Sequence, residues 1–259
     1  MDVRAILLDI DGVLYVGDEP IEGAHAALDE LRALVDGRLR LVTNTTSKSR
    51  REIVEHLGEL GFTVSPEEVL TPAAIALQLC RERGFERVAL LVADGLRADL
   101  AKLREAGGDP PDAVILGDLG SAFDDAILNR AFRWLMDGAE LVALQHNRFY
   151  RRGGGLVLDV GAYAAALEYA TGREAIVAGK PSAAFFGAAL AAVGVDAPDA
   201  VMVGDDVEAD VGGALDAGLN GILVRTGKYR VELIDASGVS PTATVGSIAD
   251  VAELLKPPS

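Results

Sequence analysis

Apolar and polar positions along this chain keep two periods in turn. Val3–Leu8 is a short apolar run ending in Asp9-Ile10-Asp11-Gly12, the pattern of a buried parallel strand that carries acids to its carboxyl end. Apolar residues then recur at helical spacing over 24–35, at Ala24, Ala27, Leu28, Leu31 and Leu34. A second strand is predicted at 38–43, stopping in Asn44-Thr45-Thr46-Ser47, and a second helix at 49–60, ended by Gly61. Ser65-Pro66-Glu67-Glu68 reads as a capping box with proline in the first turn.

Further along, the spacing predicts helices at 72–83, 96–106 and 122–136, and strands at 88–92, 113–116 and 140–144. Asp109-Pro110-Pro111-Asp112 and Arg152-Gly153-Gly154-Gly155 read as loops. After Gly179-Lys180-Pro181 the opening rhythm resumes, with a helix at 183–193, a strand at 200–203, a helix at 208–217 and a strand at 221–224. Strands separated by crossover helices predict an α/β fold built on a parallel sheet. The change of rhythm predicts a discontinuous core domain, 1–71 and 178–259, split by an inserted domain at 72–177 with hinges near 71–72 and 176–179.

Composition narrows the partners. The chain is 50% hydrophobic and 25% charged, the balance of a globular protein and not of a disordered one. Apolar runs such as 88–93 fall far short of the roughly 18–20 residues that cross a bilayer. Met1-Asp2-Val3-Arg4 leads into Asp9 and Asp11 without a signal-like apolar region, so a cytoplasmic location is expected. One cysteine, Cys80, excludes an internal disulfide framework and a cysteine zinc site; its helical neighbours Ala76 and Leu77 predict a packed thiol. His25 and His56 fall on amphipathic helices as surface or boundary residues. A net charge of −16 argues against nucleic acid and anionic membranes. It leaves room for an anionic small substrate where a metal ion reverses the local field. Only residues 48, 102, 180, 228 and 256 are lysines, which makes Lys180 before a predicted helix worth noting.

Four separated segments carry chemistry. Asp9-x-Asp11-Gly12 ends the first strand, where an open α/β sheet binds its ligands, although an aspartate capping the next turn is the alternative. Thr43-Asn44-Thr45-Thr46 offers hydroxyls and N–H groups to a phosphate, although as letters alone it reads more readily as an ordinary helix cap. Lys180 in Gly179-Lys180-Pro181 could neutralise a carboxylate or phosphoryl oxygen, or lie on the surface. Val201–Asp210 empties a buried strand into Asp205 and Asp206, with Asp210 one turn on. These are hard oxygen ligands suited to Mg²⁺, and the attraction of acids to a helix dipole does not explain why the strand ends there.

In this order the four segments resemble the motifs of the haloacid dehalogenase-like (HAD) phosphohydrolase superfamily, over the whole chain. The insertion, with Asp9–Asp18, Gln145–Tyr150, Leu167–Ala170 and Gly179–Pro181, is similar to subfamily IIA and its large C2-type cap. The resemblance implies a Rossmann-like core with an inserted α/β cap and a Mg²⁺-dependent phosphatase working through an aspartyl-phosphate on a small phosphorylated metabolite or pyrophosphate. By motif position it makes Asp9 the nucleophile and Asp11 the acid, then the base. Thr43 and Lys180 would hold the transferring phosphoryl group, with Asn44 and Thr45 adding contacts. Mg²⁺ would be held by Asp9, the Asp11 carbonyl and Asp205, while Asp206 and Asp210 contact its waters and Lys180. A homodimer is also implied.

In the cap, His146, Asn147 and Arg148 follow a predicted strand and precede Phe149, Tyr150, Arg151 and Arg152. They read as substrate contacts, since arginine suits phosphate or carboxylate, or as a solvated turn whose aromatics pack inward. Tyr15–Asp18 is expected beside the site as a flap. A phosphoamino-acid or phosphoprotein phosphatase, and a catalytically silent phosphate-binding regulatory module, are the competing functions. A dinucleotide oxidoreductase is discounted because no Gly-x-Gly-x-x-Gly follows the first strand.

Overall fold

The computed structural model describes residues 3–152 and 155–256. Gly153 and Gly154 of the expected glycine loop, Met1 and Asp2, and Pro257-Pro258-Ser259 lie outside the described residues. Strand β1 (Ala5–Asp9) leads through a small hairpin, β2 (Tyr15–Val16) and β3 (Glu19–Pro20), to helix α1 (Ala24–Leu34), β4 (Leu39–Val42) and α2 (Arg50–Glu59). Next come β5 (Val69–Leu70), α3 (Pro72–Arg83), β6 (Arg87–Leu91), β7 (Arg104–Glu105) and β8 (Ala113–Leu116). They are followed by α4 (Asp125–Met136), β9 (Glu140–Ala143), the hairpin β10 (Phe149–Arg152) and β11 (Gly155–Leu158), α5 (Val160–Thr171) and β12 (Ile176–Val177). The chain closes with α6 (Ala183–Val193), β13 (Ala200–Gly204), α7 (Gly213–Asp216), β14 (Asn220–Val224), α8 (Val231–Ser237), β15 (Ala243–Val245) and α9 (Val251–Leu255).

Two compact units result: Met1–Thr43, Val54–Leu70 and Lys180–Ser259 form the first, and Asn44–Ile53 with Thr71–Gly179 form the second. The first is built on a six-stranded sheet in the order β15-β14-β13-β1-β4-β5, parallel throughout. Every residue of β1 and β13 is buried, as central strands covered on both faces require, and this is why both read as unbroken apolar runs. Helix α1 buries the stripe Ala24, Ala27, Leu28 and Leu31 and packs against α9, while α6 packs on β4 and α7.

The second unit has a five-stranded parallel sheet, β12-β9-β8-β6-β7. Its core joins Val114, Leu116 and Leu141 of the sheet to Leu135 of α4 and Leu167 of α5. The whole is a mixed α/β fold on parallel sheets, as the strand–helix rhythm predicts.

Three elements depart from expectation. Residues 96–106 do not form an α-helix: Asp94–Ala98 is a 3-10 helix, and β7 follows. Leu96 and Leu100 are buried, so the apolar spacing is used. The hydrogen bonds from Asp99, Leu100 and Leu103 nevertheless run three residues back, and the Ala106 N–H donates to Val88 O at 2.9 Å. Pairing 104–106 with the edge of β6 outweighs local helix propensity. The helix expected at 122–136 begins at Asp125, because the Asp124 side chain caps it by accepting the Ile127 N–H at 2.8 Å. The helix expected at 208–217 is wound as a π-helix over Val207–Gly212 before α7. Cys80 is a fully buried thiol on α3. Among the described residues no helix is long and apolar enough to cross a membrane.

Candidate active site

The sheet register of the first unit brings the chemistry together. Asp9 pairs with Val42 on one side of β1, and Leu8 pairs with Val203 on the other. Asp9, Thr43 and Asp205 therefore leave adjacent strands at one carboxyl edge. Lys180 enters from the chain before α6, with a cis peptide to Pro181. Its ammonium lies 2.7 Å from Asp9 Oδ1 and 2.7 Å from Asp210 Oδ1. All four charged groups are withdrawn from water: exposure is 6% for Asp9, 3% for Lys180, 2% for Asp205 and 1% for Asp210.

Local structure explains how so many acids meet. The Asp206 side chain accepts the N–H groups of Glu208 and Ala209, and its own N–H donates to Asp210 Oδ2 at 3.1 Å. The Val211 N–H reaches Asp206 O, five residues back, at 3.3 Å. This wide turn is the kind often found at functional sites. Gly12, at φ 83°, lets the chain turn after the acid pair, and a Cβ there would overlap the Asp205 carboxylate. Asp11 is exposed; burial first, and then the charge of the nearby Asp11 carboxylate, push the Tyr15 phenol up.

Electrostatics follow from this burial. Burial pushes the Asp9 carboxyl above its ordinary range, against the pull of Lys180 and with the push of Asp205. Burial, reinforced by Asp210, raises Asp205 to about 6; burial, reinforced by Asp9, raises Asp210 to about 7. For Lys180 burial favours the neutral amine, yet Asp210 and Asp9 outweigh it and hold the ammonium above its ordinary value.

Carboxylate oxygens of Asp9, Asp205 and Asp210 lie within 4.8 Å of one another. Asp205 Oδ1 is buried without a hydrogen-bond partner. Like charges this close and this dry are costly, and an oxygen with nothing to bind is costlier still. A hard divalent cation fits this donor set.

The expected site residues are distributed over both units. Asp9, Asp11, Thr43, Lys180, Asp205, Asp206 and Asp210 belong to the first, with Thr43 buried. Asp206 caps the π-helix and pairs with Lys228 Nζ at 3.1 Å, and the Lys180 charge also helps to hold its carboxyl down. Asn44 and Thr45, both half-buried, fall in the second unit, as do His146, Asn147 and Arg148. There His146 Nε2 lies 3.1 Å from Glu168 Oε2, and the Arg148 guanidinium sits 5.8 Å from the Phe149 ring centroid. The Asn147 N–H donates to buried Gln145, which in turn donates to Asp159. The hairpin carrying Tyr15–Asp18 places Tyr15 edge-on to His56, 5.2 Å between centroids. His25 stacks on Phe62 at 4.2 Å. Sequence reasoning missed Thr226, Gly227 and Lys228 beside Asp205 and Gly12; the available signal was a rare lysine just past the end of another buried strand.

A parallel-sheet core with this acid–lysine constellation defines a hydrolase class, and the family comparisons agree. The model of haloacid dehalogenase-like hydrolases matches residues 6–107, and a second model of that group matches 177–251. The chain belongs to the haloacid dehalogenase-like hydrolase family. It is 41% identical over 245 residues to bovine haloacid dehalogenase-like hydrolase domain-containing protein 2, covering 95% of this chain and 93% of that one. It is 41% identical over 259 residues to human phospholysine phosphohistidine inorganic pyrophosphate phosphatase, covering 98% and 94%. The solved p-nitrophenyl phosphatase of Archaeoglobus fulgidus superimposes with a TM-score of 0.90 at 27% identity, covering 98% of this chain and all of that one.

Proposed function

We propose that this chain is a Mg²⁺-dependent phosphatase that hydrolyses a small phosphorylated compound or pyrophosphate through a phosphorylated Asp9. One observation carries the reading: a buried Asp9 carboxylate is ion-paired at 2.7 Å to a buried lysine, beside two further buried carboxylates, one with an unsatisfied oxygen.

Asp9 attacks phosphorus and the bond from phosphorus to the leaving oxygen breaks. Asp11 gives its proton to that oxygen. Asp11, now ionised, takes a proton from the water that attacks the aspartyl-phosphate. The bond from phosphorus to Asp9 then breaks, releasing inorganic phosphate and restoring the carboxylate. Lys180 and Thr43 supply fixed donors to the charge that spreads over the equatorial oxygens. Mg²⁺ held by Asp9, Asp205 and the Asp11 carbonyl, with Asp210 close by, would offset the repulsion between carboxylate and phosphate. Asp206 supports this edge through the π-helix.

By this reading the second unit is the family's substrate-selecting cap, with Asn44, Thr45, His146, Asn147 and Arg148 its candidate contacts. A cytoplasmic location and a homodimer belong to the same reading. A second substrate class, P–N-bonded phospholysine or phosphohistidine, is favoured by the name of the human relative that is 41% identical over 98% of this chain. Phosphate release from a panel of phosphorylated metabolites, pyrophosphate and phosphoramidates, with and without Mg²⁺, tests both. Release that persists undiminished without Mg²⁺, or in Asp9→Asn, would overturn the mechanism.

A further inference from the structure

The centre is also touched from a strand that none of the four motif segments includes. β14 ends at Val224, and the turn after it returns to Asp205 and Gly12. The Lys228 main-chain N–H donates to Asp205 Oδ2 at 2.7 Å, whereas Asp205 Oδ1 has no partner. The Thr226 hydroxyl donates to the main-chain oxygen of Gly12. Gly227 lies between, at φ 56°; a Cβ there would overlap Asp205 Oδ2 and come within 2.6 Å of Gly12 Cα.

A carboxylate is free to rotate about its terminal bond. Anchoring one oxygen to a main-chain N–H removes that freedom and aims the other. The same turn fixes Gly12, directly after Asp11, so two arms of the centre are tied to one short segment. The Lys228 ammonium, 63% exposed, pairs with Asp206 at 3.1 Å; its charge also reaches Asp205 and Asp9, where it repels a cation and so cannot be what favours one.

We propose that Thr226-Gly227-Lys228 is a positioning element that sets Asp205 and the 9–12 turn for a divalent cation. It acts through main chain, hydroxyl and the absent Cβ, and not through the lysine charge. The proposal rests on the metal-dependent reading above.

Calorimetric titration of the full chain with Mg²⁺, without substrate, tests it, with circular dichroism as the check on folding. Outer contacts to metal ligands are worth about 10–100-fold in affinity, so Gly227→Ala is expected to weaken Mg²⁺ binding by at least about tenfold. Thr226→Val, which keeps shape and backbone, is expected to weaken it about three- to tenfold, and Thr226→Ser to restore it. Lys228→Met keeps the N–H and is expected to bind Mg²⁺ no more weakly than the wild type. Wild-type affinity in natively folded Gly227→Ala and Thr226→Val overturns the proposal, as does a loss in Lys228→Met equal to that in Gly227→Ala. If Gly227→Ala fails to fold, the two Thr226 variants decide. Absence of saturable Mg²⁺ binding in the wild type instead overturns the metal-dependent reading, and this proposal with it.

Discussion

The two units use one architecture to different ends. Each is a parallel sheet with crossover connections, six strands in one and five in the other. In the first, β1 empties into Asp9 and β13 into Asp205 and, one turn on, Asp210; all three are buried, and Lys180 compensates Asp9 and Asp210. In the second, β6 runs out to Asp94, which is fully exposed, and β9 runs out to Gln145, a neutral amide bonded to Asp159. A parallel sheet supplies the edge; what leaves that edge decides whether it can do chemistry. Burying several charges is costly, and a chain that retains them uses them for something other than stability.

The sharpest way to break this comparison is to neutralise the proposed nucleophile. Asp9→Asn keeps shape and fold, and turnover of p-nitrophenyl phosphate should fall by at least about a thousandfold. Unchanged circular dichroism with near-normal turnover would remove Asp9 from its role. Next is Lys180→Met, which leaves Asp9 and Asp210 without their cation. Loss of one partner of a buried pair should lower unfolding free energy by about 3–5 kcal/mol in urea denaturation without Mg²⁺, and by less with it.

The pH dependence follows from Asp205 near 6 and Asp210 near 7 against an ordinary value of 3.8. Both folded-state values lie above the unfolded one. Their contribution to stability is therefore fully present below about pH 4 and is lost as pH rises through 6 and 7 in the cation-free protein. A cation must displace these protons, so Mg²⁺ affinity should rise between pH 5 and 7 by up to about tenfold per unit for each proton released, then level off. Calorimetry in buffers of differing ionisation enthalpy checks the proton count; a flat affinity across that range would contradict it.

The smallest effect sharpens the contrast from the other side. Arg148→Ala in the second unit should raise KM about three- to tenfold through loss of one exposed anion contact, with kcat within about twofold. It should leave Mg²⁺ affinity alone, and a change there would mean that the two units do not divide the work as supposed.

Much of the site was legible before any fold was known, because a strand that must be buried cannot hide where its apolar run stops. Asp9, Thr43, Lys180 and Asp205 each stand at such a stop or just before a helix. Asp210 was legible as an acid one turn past the strand, and the family resemblance set it beside Lys180; that the turn carrying it is a π-helix was not legible, because the apolar spacing of 208–217 reads as an ordinary helix. Residues 96–106 carried a helical apolar pattern that pairing with β6 overrode.

Local order along the chain thus determined the α/β class, most strand and helix positions and the identity of the buried acids and lysine, since each depends on side chains within a few residues. The tertiary structure alone decided the strand order that sets β1 between β13 and β4, and which acid pairs with which lysine. It also decided that the turn at 226–228 closes on Gly12 from more than 200 residues away. Those contacts depend on which strands lie side by side, and no periodicity within a single segment encodes its neighbour in the sheet.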